Sequence, residues 1–257
     1  MLTKKKKFRI KSYDEILEDI REASHWRSID KVFLCDGDAL IIPQERLREI
    51  LGLIRTHIQG VKRVGTYANA KSILRKTVDE LVELRALGLG IVYLGIETGN
   101  NELLRKIRKG VTAEQMIEAG RRVKDAGIPL SVTVILGLGG GEQNREYATD
   151  TARILTDIDP EYASALTLML MPGTPLYSEY ESGYFTLPDK FDLLRELASI
   201  IEHSDFSGCF FTSNHASNYL PIKARLPSEK EKTLTTIYNT IKKNDLKALR
   251  PEYMRGF

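Results

Sequence analysis

Residues 90–110 read GIVYLGIETGNNELLRKIRKG, and this stretch decides the fold. Ile91–Ile96 is a short apolar run rich in β-branched and aromatic residues, the pattern of a buried strand. The run stops at Glu97-Thr98-Gly99-Asn100, after which Leu103, Leu104 and Ile107 recur at helical spacing. A carboxylate at the carboxyl end of a buried parallel strand stands where α/β proteins bind ligands.

The same unit of strand, polar tip and helix repeats on both sides. Upstream, Tyr13–Ala23 reads as an amphipathic helix, and Lys31–Asp38 as a strand ending in Asp36-Gly37-Asp38. Pro43 opens a helix over Gln44–His57, where its missing donor costs nothing. Val61–Ala68 is a strand tipped by Tyr67 and Asn69, and Thr77–Leu87 a helix capped by Gly88. Downstream, Thr112–Ala126 is a helix with Thr112 as N-cap, stopped by Gly127 and Pro129. Ser131–Leu136 is a strand running into Gly137-Leu138-Gly139-Gly140-Gly141. Glu142–Thr156 is a helix, and Tyr162–Met171 a strand ending at Pro172-Gly173-Thr174-Pro175. Five strands alternating with helices predict right-handed crossovers and a parallel sheet with every tip on one edge. This alternation fits an open doubly wound sheet or a partial barrel, and the strands alone leave both open. Beyond Pro175, helices at Leu187–His203 and Pro227–Lys243 flank an aperiodic stretch, Ser204–Leu226. The expected organisation is a core over residues 1–180 and a C-terminal helical layer over 181–257 on the same domain.

Composition sets outer limits. With 257 residues, 42% hydrophobic, 28% charged and a net charge of +3, the chain is an ordinary globular sequence without a nucleic-acid-binding stripe. No apolar run has transmembrane length, and MLTKKKKFRI lacks the apolar region of a signal peptide, so a cytoplasmic location is expected. Lys4–Lys7 reads as a solvated tail. Cys35 and Cys209 suggest no disulfide framework, and Cys35 reads as a small buried residue of a strand.

The strand tips collect Asp36, Gly37, Asp38, Tyr67, Asn69, Glu97, Thr98, Gly137–Gly141 and Met171–Thr174. Carboxylates on such a rim suit an amine or ribose hydroxyls, and glycines let a ligand approach the backbone. Residues 137–142 do not make a dinucleotide fingerprint, because Glu142 stands where its third glycine belongs; a Walker lysine is also absent. His25, His57, His203 and His215 are scattered, neither cysteine lies in a CxxC, and no serine occupies a nucleophile elbow; no metal ligands are expected.

The succession VFLCDGDAL, YANA, ELRALGLGIVYLGIETGNNELL, KGVTAEQ, VKDAGIPLSVTVILGLGGGE and LTLMLMPGTPL resembles the core of a radical S-adenosylmethionine (radical SAM) enzyme. In particular it resembles the branch related to the oxygen-independent coproporphyrinogen oxidase and Elongator-subunit-3 type proteins, which SNHASNYLP also resembles; the similarity runs from about Phe8 to about Leu234. The resemblance implies a partial (βα) TIM-like barrel of parallel strands. It further implies S-adenosyl-L-methionine as cofactor, with Asp36-Gly37-Asp38 at its methionyl amine and Asp38 as the acid. Glu97 and Ser131 map to its ribose contacts, and Gly137, Leu138, Leu170 and Met171 to its adenine.

The family also implies a [4Fe–4S] cluster on a CxxxCxxC loop, an electron donor and a small-molecule substrate. This sequence has no such loop. KKKFRIKSYDEILEDI resembles the segment just after the third family cysteine, so the first barrel strand and cluster loop are expected to be missing from before Met1. On that reading the complete enzyme cleaves S-adenosylmethionine to a 5′-deoxyadenosyl radical, the chain by itself is inactive, and the inner face beside Phe33 is exposed. The alternatives are a cluster-less relative that binds S-adenosylmethionine or a nucleoside, or a non-catalytic scaffold. SNHASNY, with His215, is expected either to close the open barrel side or touch substrate, or to cap turns.

Overall fold

A computed structural model describes residues 9–25, 28–141 and 144–256; Lys4–Lys7 and Glu142 lie outside them. In chain order the elements are α1 (Tyr13–Ser24), β1 (Lys31–Leu34), α2 (Gln44–His57), β2 (Arg63–Ala68), α3 (Ala70–Leu74), α4 (Val78–Ala86) and β3 (Leu89–Glu97). Then come α5 (Asn101–Lys106), α6 (Ala113–Asp125), β4 (Leu130–Leu136), α7 (Asn144–Ile158) and β5 (Tyr162–Thr167). The C-terminal part holds α8 (Pro175–Glu181), α9 (Lys190–His203), β6 (Cys209–Thr212), β7 (Lys223–Leu226) and α10 (Lys230–Lys242).

The helix starts follow local chemistry. Ser12 with Glu15, Thr77 with Glu80, and Thr112 with Gln115 form capping boxes at α1, α4 and α6. Gly88 and Gly127 take positive φ, +110° and +70°, directly after α4 and α6, as helix-terminating glycines do. Gly52 sits inside α2, where an added Cβ would meet nothing within 4 Å. Gly52→Ala is therefore expected to raise stability by about 1 kcal/mol, read as a higher denaturation midpoint.

The sheet order is β1-β2-β3-β4-β5-β6-β7, parallel through β6, with β7 antiparallel to β6. Strict sequential order means no strand reversal, so this is a singly wound, open barrel and not a doubly wound sheet. One face carries the core. Val92, Leu94 and Ile96 of β3 and Val132, Val134 and Leu136 of β4 are buried there, in one apolar cluster with Leu47 and Leu51 of α2, Met116 of α6 and Leu197 of α9. The other face is concave and partly open. Phe33, Tyr67 and Tyr93 cluster on it in edge-to-face and tilted contacts with ring centroids 4.8–5.8 Å apart, and Phe33 is 39% exposed.

Three stretches depart from the sequence reading. The strand expected over Tyr162–Met171 stops at Thr167, because its ladder partner β4 turns away at Gly137. β1 ends at Leu34 instead of Asp38, which leaves Cys35 exposed and not buried in a strand. The aperiodic stretch 204–226 holds β6 and β7, which extend the same sheet. Each has four residues, too few for alternation to stand out in sequence.

Candidate functional site

All parallel strands point their carboxyl ends to one edge. At the β1 end, Asp36 and Gly37 are exposed and Asp38 is half-buried. Asp38 Oδ1 accepts a hydrogen bond from Ser72 Oγ (2.8 Å), and Oδ2 accepts one from Asn69 Nδ2. Burial raises its pKa above the ordinary aspartate range, although these hydrogen bonds act in the opposite direction. Asn69 is also the N-cap of α3, so one residue ties the β1 tip to the β2 tip. Behind the loop, the buried Lys76 donates to Ile42 O (3.2 Å) and Gln44 Oε1 (3.3 Å). Burial lowers the Lys76 pKa.

At the β3 end the backbone is irregular. The β3–β4 register shifts between Gly95 and Glu97, and Glu97 takes φ +63°. That left-handed conformation costs about 1–2 kcal/mol for a residue with a Cβ. It accompanies a carboxylate that folds back over Gly95, where an added Cβ would come within 2.6 Å of Oε1. Lys109, from the turn after α5, donates to Oε1 at 2.5 Å. The neighbouring residues are locked to α7. Thr98 is buried, Gly99 N donates to Thr151 Oγ1 (3.0 Å), and Asn100 Nδ2 donates to Asp150 Oδ2 (2.7 Å).

At the β4 end, Gly137 has φ +81°, and α9 closes over it: an added Cβ would lie 2.8 Å from Leu193. Gly137 N donates to Glu196 Oε2 at 2.8 Å. Glu196 is 7% exposed, and burial pushes its pKa up to about 8. Leu138 turns its side chain into a small cluster with Leu103 and Tyr147. Past β5, Leu170 is half-buried and Met171 is 48% exposed, with its carbonyl accepting from Thr174. Ser131 is not at this edge. It is the second residue of β4, level with Tyr93 and Tyr162, roughly 17 Å below the tip at 3.3 Å per residue.

The SNHASNY segment pins the β5 end. Thr167 N donates to Ser217 Oγ (3.2 Å), Thr167 Oγ1 to Asn218 Oδ1 (2.9 Å), and Asn218 Nδ2 to Ala165 O (2.9 Å). Arg255 holds the segment from behind by donating to Ser217 O (2.8 Å) and lying 4.0 Å from the Tyr219 ring centroid. His215 Nδ1 accepts from Ser217 N (3.2 Å), which caps the turn.

Thiolates for an iron–sulfur cluster do not converge here. Cys35 follows the carboxyl end of β1, whereas Cys209 opens β6 at the opposite edge. Cys209 is buried, and burial pushes its thiol up to about 12. Among the described residues no group of three or more His, Cys, Asp or Glu side chains is placed to hold a metal ion. The chain's own residues do not fit the cluster. They do fit a nucleoside with an amine, since two held carboxylates and a glycine tip share the edge.

Lys109, Ser72 and Glu196 are not picked out by the sequence reading. Glu196 leaves a signal, as an acid among Leu193, Leu197 and Ile200 on the apolar stripe of α9. Lys109 and Ser72 leave none, because their roles depend on partners in other elements.

Fold and edge together define a partial-barrel α/β protein with its acidic and glycine strand tips gathered on the carboxyl edge of the sheet. The chain belongs to the Radical SAM superfamily, whose model matches residues 2–155. It is 26% identical over 107 residues to the tRNA uridine(34) acetyltransferase of Methanocaldococcus jannaschii, covering 41% of this chain and 20% of that protein. Coproporphyrinogen III oxidase of Escherichia coli, a radical SAM enzyme, superposes with a TM-score of 0.56 at 17% identity, over 74% of this chain and 45% of its own. Elp3 of Methanocaldococcus infernus gives 0.56 at 15% identity, over 91% and 59%. The chain thus spans only part of the relatives it matches. No helix among the described residues is long and apolar enough to cross a membrane.

Proposed function

We propose that this chain binds S-adenosylmethionine along the carboxyl edge of β1 to β5 and forms the nucleoside-holding part of a radical SAM active site. The observation that carries this reading is Glu97: a left-handed residue at a register shift, with its carboxylate over Gly95 and held by Lys109. Strain of this kind is kept where the surroundings fix a side chain for a task. Asp38 takes the methionyl amine, its carboxylate pre-set by Ser72 and Asn69. Glu97 takes ribose hydroxyls, and the backbone at Gly137, Leu138, Leu170 and Met171 borders the adenine. Bound S-adenosylmethionine supplies, in this family, the 5′-deoxyadenosyl radical that removes a substrate hydrogen. The cluster that drives this cleavage has no ligand set among the residues of this chain, so the chain's own part is binding and orientation. The substrate is a small molecule, with tRNA as the second reading, since the Methanocaldococcus jannaschii relative is named for a tRNA uridine.

Calorimetric titration of S-adenosylmethionine into the folded chain tests the reading. Saturable binding is expected, with Asp38→Asn weakening it about 10-fold, as for one lost charge-assisted hydrogen bond. Absence of binding by a chain that melts cooperatively overturns it.

A further inference from the structure

Glu196 is a buried acid with one hydrogen bond, to Gly137 N at the β4 tip, and Oε1 has no hydrogen-bond partner among the described residues. A carboxyl in an apolar helix stripe is costly to bury, and ionising it there costs far more than a single amide N–H returns. Its position is specific. α9 brings Leu193 and Glu196 onto the glycine whose φ of +81° turns the chain out of the strand.

Among the described residues, the elements packed against α9 supply no counter-charge to Glu196. β4 carries no ionisable side chain. On α7, Asp150 accepts from Asn100, Asp157 pairs with Arg121, Arg153 acts on Glu114, and Glu146 acts on Tyr147. On α10, Lys230 donates to Ser204 O and Tyr238 to Glu202; Glu231, Lys232 and Lys242 have no effect on Glu196. On α9 itself, Asp192 pairs with Arg195 and His203 bonds back to Ser199 O. Among the described residues, burial raises its pKa and the Gly137 amide acts against that rise.

We infer that Glu196 is a positioning residue for the adenine side of the site: as the neutral acid it anchors the Gly137–Leu138 backbone against α9, and its ionisation loosens that tip and lowers nucleoside affinity. The inference rests on the proposed placement of adenine at β4. A carboxylate formed in this position draws in water or swings outward, and either movement separates α9 from Gly137.

The folded pKa, about 8, lies above the unfolded value of 4.5, so the folded chain holds its proton more tightly. The stability from this group is complete below about pH 4.5 and is lost as pH rises through about 8.

The test uses adenosine, which has no group titrating near neutrality, and follows its binding to the whole chain between pH 6 and pH 9. If only the protonated form is competent, wild-type affinity falls about 10-fold over this range, whereas Glu196→Gln binds equally at both ends. A flat wild-type profile, or an unchanged fall in Glu196→Gln, overturns the inference. Should wild type bind no adenosine at pH 6, the nucleoside reading fails. The Gly137 amide resonance then decides the role of Glu196. Movement of that resonance through about pH 8 in wild type but not in Glu196→Gln supports the anchor, and a resonance indifferent to pH overturns it.

Discussion

Gly99→Ala is expected to cost about 3 kcal/mol of stability, a loss at the upper end for overpacking a closed site. The added Cβ would lie 2.1 Å from Asp150 O and 2.8 Å from Thr151 N, which are helix backbone and cannot turn aside. To accommodate the methyl, the β3 tip must withdraw from α7. Withdrawal breaks the bonds from Gly99 N to Thr151 Oγ1 and from Asn100 Nδ2 to Asp150 Oδ2. For a chain of this length the loss corresponds to a melting temperature lower by about 10 °C. Gly208→Ala is the control, because its Cβ meets nothing within 4 Å, and it should melt within about 1 °C of wild type. Equal melting of the two variants would show that α7 is not seated against Gly99.

Glu97→Gln is expected to reduce S-adenosylmethionine affinity between about 10- and 100-fold, the range for removing charge from a hydrogen bond to a ligand hydroxyl. The substitution keeps the shape of the side chain and the left-handed backbone but leaves Lys109 without its ion-pair partner. Glu97→Gly separates the two roles of the position. It removes the carboxylate and also relieves the φ of +63°, which offsets the lost ion pair and leaves melting close to wild type. Binding by titration and melting by calorimetry, run on both variants, read the two effects apart. Unchanged affinity in Glu97→Gln would remove Glu97 from the site.

Local patterns carry much of the fold. The apolar run of β3, the helical repeat of α2 and the N-cap signals at Thr77 and Thr112 are properties of adjacent residues, and each element forms where those signals place it. The parallel arrangement through β5 comes from their alternation. The acidic and glycine tips at Asp38, Glu97 and Gly137 are legible for the same reason, since a strand that ends in a polar turn marks its own edge. Ser131 is assigned to the ribose by resemblance alone, and its place near the start of β4 puts it in the barrel floor.

Tertiary structure decided what depends on distant partners. Strand order made the sheet a singly wound open barrel, and it drew the four-residue strands β6 and β7 into the sheet beside β5. The states of the rim carboxylates were likewise set by remote residues. Lys109 lies 12 positions from Glu97, Ser72 lies 34 from Asp38, and Glu196 lies 59 from Gly137. Hydrophobic periodicity shows which face of an element is buried, because that face repeats every turn or every second residue. Which side chain meets a given carboxylate, and whether that carboxylate is paired, strained or kept neutral, is fixed only when the helices close over the sheet.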